Sequence, residues 1–491
     1  MYKNLLNTVN SQPSLFNKTA IKEVFGSNIT YGDLMVEIDK KSNFLLQKGV
    51  KKGDFISLVS KNTISFVTWY FAVHKIEAIL IPLSDSIGKW EIRKLIQLIS
   101  IDHIIFSEQQ KSEFHNFECS NINVYLNSFL ISFKQIRNRK KEEIDSEVSI
   151  LLRTSGSIGN SKIVMHTNES ILTNALAHSN AVNLNQDENT LVILPLTFSF
   201  AHTCQMLAVL FNGGTINLLN IPFFSPETMV KVISQEKITS TSLVFLHLKR
   251  WEQVINKLGH QNIETLNFVC YAGGPTSSEC IIKLSQKYPK IKFLQAYGLT
   301  EAGPRVTIVR KNDTINPSEN HHSGQPVENV LIEIRDENNI TLPIRQQGEV
   351  FIKSPSIMKG YYMNEKLTNE VLTNGWLKTG DIGFLDEKNR LSILSRKKNI
   401  IITMGSNVYP EEIEEYLLQH PYVGEVLVLG EKDNYAGEII VANVVRTNEI
   451  ITSHELINFC KEGLAIYKVP KIIRFVEKIP RTNSGKIIRA Y

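Results

Sequence analysis

Four short segments of the sequence carry residues that could bind a nucleotide and its phosphates. The first contains small hydroxyl residues and glycines and ends in a lysine: Thr154, Ser155, Gly156, Ser157, Ile158, Gly159, Asn160, Ser161 and Lys162. Small side chains let the backbone approach phosphate oxygens, and a lysine adds a compact positive charge. The spacing of a Walker A loop is absent, and residues 163–166 predict a strand where that loop requires a helix. Taken alone, the segment also fits an ordinary serine- and glycine-rich hairpin turn.

The second segment lies at the end of another predicted strand, over residues 295–301. It places an aromatic ring (Tyr297), a hydroxyl (Thr300) and a carboxylate (Glu301) on one short loop. Such a loop could stack a base, contact a phosphate and bind a magnesium ion through one oxygen. Taken alone, it also fits a strand-terminating turn with an exposed glutamate.

The third and fourth segments contribute one aspartate and one lysine. Asp381 follows Thr379 and Gly380 in a predicted tight turn, where its carboxylate could accept hydrogen bonds from both ribose hydroxyls. Lys486 ends the C-terminal segment 480–486. Such turns are common in proteins that bind no nucleotide, and the lysine also fits a flexible tail. The chemistry is therefore indicated by the four segments together and not by any one of them.

Alternating strands and helices are predicted to position these segments. Strand and helix patterns alternate from residue 29 to about residue 106 and again after residue 147, which predicts an α/β fold with a mainly parallel sheet. Two predicted strands, over 268–271 and 292–295, run into glycine or towards it. Since ligands of α/β sheets bind at the carboxyl ends of strands, these ends form one candidate site.

The pattern of predicted strands and helices changes towards the C-terminus. After about residue 323, shorter strands separated by polar turns predict a β-rich subdomain, and a basic joint is followed by a small α+β unit. We therefore predict a large domain over 1–394, a hinge at 395–399 and a small C-terminal domain over 400–491. Pro410, followed by several glutamates, predicts the start of a helix in the small domain. The highly charged run at 134–143 predicts a solvated linker.

Composition and charge set limits on the class of protein. A chain of 491 residues exceeds the usual size of a single core, so two or three domains are expected. Apolar residues make up 42% and charged residues 21%, as in soluble globular proteins. The formal charge of +5 is scattered along the chain, which argues against a nucleic-acid surface and suits a polyphosphate or carboxylate substrate.

Cysteine usage and apolar runs predict a cytoplasmic protein. The five cysteines are far apart and form no CxxC pair, so free thiols are favoured over a zinc site or disulfides. The N-terminus lacks the apolar run of a signal peptide. The most apolar stretch, 69–83, contains His74, Lys75 and Glu77 and is too short and too polar to span a bilayer.

Read in order, the four segments resemble the adenylate-forming (ANL) superfamily, which comprises acyl-CoA synthetases, nonribosomal peptide adenylation domains and beetle luciferases. The resemblance runs from about residue 30 to residue 489. Further matching positions are Gly273-Gly274-Pro275, Gly348-Glu349, Gly360-Tyr361, the basic joint 396–398 and the segment 405–414. The resemblance implies activation of a carboxylic acid by ATP and Mg²⁺ to an acyl-adenylate, with release of pyrophosphate.

The resemblance also implies a role for each matching residue. The phosphate-binding residues would be Thr154, Ser155, Gly156, Ser157, Gly159 and Lys162. The nucleotide-binding residues would be Tyr297, Gly273 and Gly274 at the adenine and Asp381 with Arg396 at the ribose. The catalytic residues would be Thr300 at a phosphate, Glu301 at magnesium and Lys486 at the substrate carboxylate and α-phosphate. The small domain would rotate about Lys398 between two half-reactions.

Several positions depart from the family pattern. Ile158, Ser161, Ile163, Ser395 and Met404 replace residues that are usually threonine, proline or glycine. None of them removes a catalytic side chain, so slower turnover is the expected effect. An inactive nucleotide-binding module that acts by interaction is an alternative from another class. The joint retention of Lys486, Glu301 and Asp381 argues against it.

The identity of the acid and of its acceptor stays open at this stage. Residues 194–202 contain no acidic residue to pair with a substrate ammonium, which disfavours α-amino acids. An apolar acid pocket is predicted from Phe198, Phe200, Cys270, Gly298 and Gly303, although the phenylalanines also suit a plain core. An aryl acid or a short to medium acyl chain is therefore expected.

The acyl acceptor would be coenzyme A or the phosphopantetheine arm of an acyl or peptidyl carrier protein. The chain ends shortly after Lys486, so no fused carrier domain is expected, and both acceptors stay open. A stand-alone adenylation protein that loads only a carrier protein is the alternative. His202 could bind a substrate hydroxyl, but a structurally satisfied histidine is the favoured interpretation.

Overall fold

The fold is described from a computed structural model of the chain. It describes residues 1–87, 92, 94–95, 98–99, 101–106, 123–126, 129–131, 145–154, 162–221, 223–256, 263–273, 278–311, 313, 322–403, 406–433, 437–481 and 487–489. The described strands form four sheets, of nine, eight, five and five strands. The predicted linker at 134–143 lies outside the described residues, so that prediction stays untested.

The helices of the described ranges lie mostly between and outside the two large sheets. They are α1 (Tyr2–Ser11), α2 (Tyr31–Gln47), α3 (Ile64–Lys75), α4 (Asn168–Val182), a π-helix (Phe200–Leu207), α5 (Ala208–Phe211), α6 (Pro226–Glu236), α7 (Phe245–Val254), α8 (Ser278–Lys287), α9 (Glu365–Val371), α10 (Pro410–Leu417) and α11 (Ser453–Gly463). Short 3₁₀ turns are Pro13–Leu15, Lys397–Asn399 and Ile466–Lys468.

The strands follow in chain order. They are β1 (Thr19–Glu23), β2 (Asn28–Thr30), β3 (Phe55–Ser60), β4 (Ile79–Ser84), β5 (His103–Phe106), β6 (Asn123–Leu126), β7 (Phe129–Ile131), β8 (Val148–Arg153), β9 (Ile163–Thr167), β10 (Asn189–Val192), β11 (Thr215–Leu218), β12 (Ser240–Val244), β13 (Phe268–Ala272) and β14 (Lys292–Leu299). The remaining strands are β15 (Gly303–Ile308), β16 (Gln325–Pro326), β17 (Leu331–Arg335), β18 (Gly348–Lys353), β19 (Gly360–Tyr361), β20 (Leu372–Thr373), β21 (Trp376–Leu385), β22 (Leu391–Arg396), β23 (Ile401–Thr403), β24 (Ser406–Val408), β25 (Val423–Asp433), β26 (Gly437–Arg446) and β27 (Ile472–Phe475).

The two large sheets are mainly parallel, as the alternation predicted. The first has the order β16-β15-β14-β13-β12-β10-β11-β1-β2, and its strands from β14 to β1 pair in parallel. The second has the order β19-β9-β8-β4-β3-β5-β6-β7, with a parallel centre from β8 to β6. Each sheet carries antiparallel strands at its edges, and β14–β15 and β8–β9 are two of these antiparallel pairs.

Helices packed between the large sheets form the main core of the large domain. Its buried residues come from β10 and β11 of the first sheet, from β3, β4 and β8 of the second, and from helices α3 and α4 and the π-helix. The other face of the first sheet is covered by α6, α7 and α8. Because both faces of each parallel centre are covered, its strands are buried along their length, as in Phe55–Ser60.

Local capping explains where two of the helices begin. Thr30 and Asp33 form a capping box at the start of α2, so the side chain of each satisfies a backbone N–H of the other. Pro410 stands in the first turn of α10, followed by Glu411 and Glu412, as predicted. Helix α3 begins at Ile64, where the Thr63 side chain accepts a hydrogen bond from the Phe66 N–H.

The C-terminal part contains the β-rich and α+β units that the sequence predicts. Strands β17, β18, β20, β21 and β22 form one five-stranded sheet, and β23 to β27 form the other, with α10 and α11 sharing its core. The predicted hinge at 395–399 covers the end of β22 and the turn Lys397–Asn399. The Lys249 ammonium donates to the Gly424 carbonyl at 2.9 Å, so the last sheet also contacts α7 directly.

Candidate active site

The carboxyl ends of β13 and β14 bring the first candidate residues together. Gly273 follows β13 with φ of +96°, a conformation that favours glycine. Among the described residues, only Val244 lies within 4 Å of the carbon that a side chain would add there. Tyr297 lies near the end of β14, which pairs with β13 in parallel. The described backbone therefore crowds Gly273 little, and its role at the adenine stays a prediction. Gly274 lies outside the described residues.

Asp381 is the centre of a polar cluster on the neighbouring sheet. Its Oδ2 accepts a hydrogen bond from the Tyr297 hydroxyl, and its Oδ1 lies 2.6 Å from the Nε of Arg396. The backbone N–H of Asp381 donates to the Thr379 hydroxyl at 3.0 Å. Residues 379–381 lie within strand β21, where its pairing with β18 shifts register, so the tight turn predicted here is instead a strand irregularity. Gly380 has φ of +72°, and no atom of the described residues lies within 4 Å of the place that a side-chain carbon would take. The structure thus brings into contact three side chains that were predicted to bind the nucleotide, those of Tyr297, Asp381 and Arg396.

The electrostatics of this cluster favour a fixed arrangement. Burial and the neighbouring Asp381 carboxylate raise the pKa of Tyr297 well above its usual value, so its hydroxyl keeps its proton and donates. Burial alone would lower the pKa of Arg396, but Asp381, Tyr297, Glu301 and other groups raise it. Arg396 is therefore a permanent cation whose field extends from Asp381 to Glu301.

A second cluster links the phosphate-binding lysine to the magnesium-binding glutamate. The Tyr361 hydroxyl donates to Oε1 of Glu301 at 2.7 Å and accepts from the Lys162 ammonium at 3.3 Å. That ammonium also lies 4.7 Å from the centre of the Tyr361 ring. Tyr361 matched the family pattern in sequence, but the sequence did not predict its role between Lys162 and Glu301. That role depends on the pairing of β19 with β9, and these strands are almost two hundred residues apart in the sequence.

The two ends of the predicted phosphate loop, Thr154 and Lys162, flank the antiparallel pair of strands β8 and β9. Thr154 and Lys162 hydrogen-bond through backbone N–H and carbonyl groups and through the Thr154 hydroxyl, at 3.0 and 3.1 Å. The strand predicted over 163–166 is confirmed as β9, which pairs antiparallel with β8. The residues between them, Ser155, Gly156, Ser157, Ile158, Gly159, Asn160 and Ser161, lie outside the described residues.

Thr300 is held through its backbone by a buried histidine. The Nε2 of His166 donates to the Thr300 carbonyl at 2.6 Å, and its Nδ1 lies 2.9 Å from the Ser170 hydroxyl. Burial lowers the pKa of His166, so a neutral ring fits these contacts. The N–H of Met358 donates to the Glu301 carbonyl at 2.8 Å. The loop with Thr300 and Glu301 is therefore fixed by two neighbouring elements.

A magnesium ion fits this arrangement if the nucleotide completes its shell. No group of three or more histidine, cysteine, aspartate or glutamate side chains that could hold a metal is found among the described residues. Magnesium is commonly bound by one or two carboxylates together with substrate phosphates and water. Glu301, beside Lys162 and Tyr361, supplies such a carboxylate.

The predicted acid pocket is only partly assembled as expected. Phe200 and Cys270 meet at the guanidinium of Arg305, which lies 4.4 Å from the centre of the Phe200 ring and beside the Cys270 thiol. Phe198 is half-buried just before the π-helix. Arg305 was missed by sequence analysis because a single arginine in a short strand looks like a surface residue.

The two glycines of the predicted pocket have a packing role. A side chain at Gly298 would lie 2.3 Å from the backbone of Pro304, where β14 and β15 pair irregularly. A side chain at Gly303 would lie 2.6 Å from the amide of Asn174, and Gly303 has φ of +84°. Close approach of β15 to β14 and α4 therefore requires glycine at both positions.

The surroundings of several other predicted residues are described by the structure, and the remaining predicted residues lie outside the described ranges. His202 is structurally satisfied, since Nε2 lies 2.8 Å from the Tyr70 hydroxyl and Nδ1 lies 3.2 Å from the Thr203 hydroxyl. Ser395 is buried and Lys398 is exposed. The four described cysteines are free thiols. Met404 and Lys486 lie outside the described residues, so the structure carries no test of their roles.

The part of the chain that the structure describes contains no helix long and apolar enough to cross a membrane. Two family models match the chain. The model of the AMP-binding enzyme family matches residues 10–362, and that of the AMP-binding enzyme C-terminal domain matches residues 412–486.

Curated relatives and solved structures agree with that match. A 2-succinylbenzoate–CoA ligase of Bacillus cereus is 29% identical over 481 residues, covering 96% of this chain and 94% of the relative. The amide bond synthetase McbA of Marinactinospora thermotolerans superposes with a TM-score of 0.87 at 23% identity, covering 99% and 97% of the two chains. The o-succinylbenzoate coenzyme A synthetase of Bacillus subtilis, solved with ATP and magnesium, gives a TM-score of 0.84 at 23% identity, covering 99% and 98%.

Proposed function

The chain belongs to the AMP-binding enzyme family, and from this premise we propose that it is an ATP-dependent carboxylic acid–CoA ligase. In the first half-reaction, a carboxylate oxygen of the acid attacks the α-phosphorus of ATP, and pyrophosphate leaves. In the second, the sulfur of the thiol attacks the acyl carbon, the thiol proton goes to solvent and AMP leaves. Both steps proceed by positioning and charge stabilisation, without a covalent enzyme intermediate.

The observation that carries this proposal is the joining of the two clusters into one site. Asp381, Tyr297 and Arg396 form one hydrogen-bonded polar cluster, and Lys162, Tyr361 and Glu301 form another. The charge of Arg396 acts on Glu301 and Tyr361 as well as on Asp381. A nucleotide with its phosphates directed towards Lys162 and Glu301 would contact both clusters at once.

Each residue receives a role on this basis. Asp381 accepts the ribose hydroxyls, Tyr297 and Gly273 border the base, and Thr300 and Lys162 contact phosphate oxygens. Glu301 holds magnesium, which when bound would neutralise charge on the leaving pyrophosphate. From the family resemblance, Ser155, Gly156, Ser157 and Gly159 add phosphate contacts, Gly274 borders the base and Lys486 binds the carboxylate and the α-phosphate. Rotation of the small domain about 395–399 would separate the half-reactions.

Coenzyme A is favoured as the acyl acceptor over a carrier protein. The support is the name of the relatives that match over most of the chain, 2-succinylbenzoate–CoA ligase. The second candidate function, loading of a carrier protein by a stand-alone adenylation protein, uses the same first half-reaction. The two differ in whether free coenzyme A accelerates release of AMP.

The test is pyrophosphate release with ATP, magnesium and a panel of aryl, acyl and amino acids, with and without coenzyme A. Wild type is compared with Lys486→Ala and with Lys478→Ala, a control that removes an exposed lysine just before the segment 480–486. Acid-dependent release that is lost only in Lys486→Ala supports the proposal. No release with any acid, from protein that binds ATP, contradicts it and favours the inactive nucleotide-binding module.

A further inference from the structure

A lysine of the large domain contacts the small domain at a bulge in its sheet. Gly424 lies on β25, where the pairing with β26 shifts register between Val423 and Glu425. The extra residue of such a bulge has no partner residue on the neighbouring strand. The Gly424 carbonyl accepts a hydrogen bond from the Lys249 ammonium of α7 at 2.9 Å. The contact therefore joins a charged group of one domain to a backbone group of the other.

The ammonium of Lys249 lies among groups of both domains. Burial lowers the pKa of Lys249, and Cys280, Glu252, Glu425 and Glu279 oppose this shift. Glu425 belongs to the small domain, and the other three belong to the large domain. A charged donor forms a stronger hydrogen bond than a neutral one, and less water competes for it when it is half-buried. The contact with the Gly424 carbonyl is therefore a substantial one.

A polar cavity separates the two domains beside this contact. It has a volume of about 330 Å³, and its walls include Glu252, Glu279 and Lys283 of the large domain and Gln419 and His420 of the small domain. The Lys283 ammonium lies 2.8 Å from Glu279 and 3.3 Å from Glu252, so these charges are already paired within the large domain. Widening a polar cavity exposes little apolar surface to water. The domains can therefore separate here at little hydrophobic cost.

The covalent connection between the domains is anchored on both sides of one residue. The Lys397 ammonium lies 3.1 Å from Oε2 of the buried Glu349 in the large domain. The Asn399 side-chain amide donates to Oε1 of Glu411 in α10 of the small domain at 3.4 Å. Lys398, between them, is exposed. Rotation of the small domain about this residue would move β25 relative to α7, so the contact of Lys249 would have to break.

The contact is also connected to the segment that ends in Lys486. Glu425 follows Gly424 directly, and its Oε2 lies 2.7 Å from Nη2 of Arg481. Arg481 belongs to the segment 480–486 and forms a β-bridge with Ile487, just beyond it. When β25 is held against α7, both ends of this segment are therefore held in one position relative to the large domain.

We infer that Lys249 is a positioning residue that holds the small domain in one of the two orientations that the half-reactions require. This inference rests on the proposed function. Two orientations in equilibrium respond to a contact that is made in only one of them. Without the Lys249 ammonium, the orientation in which it contacts Gly424 loses population. The half-reaction that this orientation serves then slows, and the other half-reaction does not.

The first test measures the orientation of the domains and needs no substrate. Spin labels are attached through Lys287→Cys in α8 and Glu449→Cys in the small domain, two exposed positions, in a Cys119→Ser background, since the other four cysteines are buried. Double electron–electron resonance gives the distribution of label separations for wild type, for Lys249→Met and for the control Arg250→Met. The control changes the next residue of the same helix, which is exposed.

Lys249→Met should lower the ratio of the label separation seen in the structure to all other separations by about tenfold, because a charge-assisted hydrogen bond is lost. Lys249→Glu, which places a second carboxylate near Glu425, should lower it further. Arg250→Met should keep the wild-type distribution. Thermal unfolding establishes that the variants are folded. Identical distributions for wild type and both Lys249 variants overturn the inference.

The second test measures the two half-reactions separately, with an acid that wild type accepts. Pyrophosphate exchange reports formation of the acyl-adenylate, and transfer from preformed acyl-adenylate to coenzyme A reports the second step. In Lys249→Met the ratio of the two rates should change by about tenfold, through slowing of one half-reaction only. Arg250→Met should leave the ratio unchanged. A merely structural lysine would slow both steps equally, and an unchanged ratio in Lys249→Met overturns the inference.

The two tests separate the inference from the proposed function. Acid-dependent pyrophosphate release with unchanged label separations in the Lys249 variants rejects the inference and leaves the proposed function intact. A shift of the separations in Lys249→Met, without pyrophosphate release from any acid, rejects the proposed function and retains Lys249 as the residue that sets the orientation of the domains.

Discussion

Arg396 and Asp381 face one another on the paired strands β22 and β21, with 2.6 Å between Nε and Oδ1. Asp381 is 3% exposed, and its other oxygen accepts a hydrogen bond from Tyr297. The carboxylate is therefore held in one orientation by a cation on one side and a phenol on the other. A ribose would meet an acceptor that is already aligned, which lowers the entropic cost of binding.

The first prediction concerns this carboxylate. Asp381→Asn should raise the Kd for ATP by about tenfold or more, because hydrogen bonds to a charged group are worth about 1.5–3 kcal/mol. Isothermal titration of ATP measures the change, and Asp187→Asn, at an exposed loop position, is the control. Thermal unfolding establishes that both variants are folded. An unchanged Kd in folded Asp381→Asn would remove Asp381 from the nucleotide site.

The second prediction concerns magnesium. Glu301→Gln should raise the magnesium concentration that gives half-maximal pyrophosphate release by about tenfold or more, since magnesium prefers anionic oxygen ligands. Tyr361→Phe is the matched variant, because it removes the hydroxyl that lies 2.7 Å from Glu301 but keeps the carboxylate. It should raise that concentration only a few-fold, since one hydrogen bond contributes about 1 kcal/mol. Identical magnesium curves for wild type and Glu301→Gln would refute the assignment.

The third prediction concerns the pH dependence of stability. Glu414 is buried beside Arg489, with 2.5 Å between Oε2 and Nη2. Burial raises the pKa of Glu414 to about 7 from its ordinary 4.5, with Arg489 opposing the shift. A raised carboxyl pKa contributes stability that is full below 4.5 and is lost as the pH rises through about 7.

Arg489→Gln should therefore destabilise the small domain more at pH 8.5 than at pH 5.5. Without the cation, the ionised Glu414 is buried and unpaired, a loss of about 3–5 kcal/mol for broken buried pairs. Thermal unfolding at the two pH values measures the difference, and Glu414→Gln in the same background should abolish its pH dependence. A loss of equal size at both pH values would show that Glu414 is not the group responsible.

The fourth prediction concerns the class of acid. Phenylalanine and 3-phenylpropanoate differ by one ammonium group, and only the latter should support pyrophosphate exchange. Residues 194–202 offer no carboxylate to an ammonium, and Arg305 adds a buried positive charge. Exchange assays with the standard amino acids and their deamino analogues decide the point. Robust exchange with any standard amino acid would contradict the proposed acid site.

The features that sequence could predict are those fixed by local chemistry. Pro410 marked the start of a helix, and the resemblance carried by ordered motifs is confirmed by the family match over 10–362. Arg305 could not be found in this way, because its burial depends on α4 and the π-helix packing over β15. The bridging role of Tyr361 likewise depends on the pairing of β19 with β9.

The roles of Lys486 and of residues 155–161 remain predictions from the resemblance, since these residues lie outside the described ranges. Ser161 and Ile163 depart from the family pattern, yet Ile163 begins a regular strand that pairs with Arg153. The departure at Ile163 therefore leaves the hairpin intact.

The most direct test of the central claim follows the oxygen atoms of the acid. The enzyme is incubated with ATP, magnesium, coenzyme A and an accepted acid whose carboxylates carry ¹⁸O, and the products are examined by mass spectrometry. The account predicts AMP with one ¹⁸O atom, unlabelled pyrophosphate and an acyl-CoA thioester, because the attacking carboxylate oxygen stays on the α-phosphorus. Formation of ADP with ¹⁸O in inorganic phosphate would contradict it, because the acid would then have attacked the γ-phosphorus.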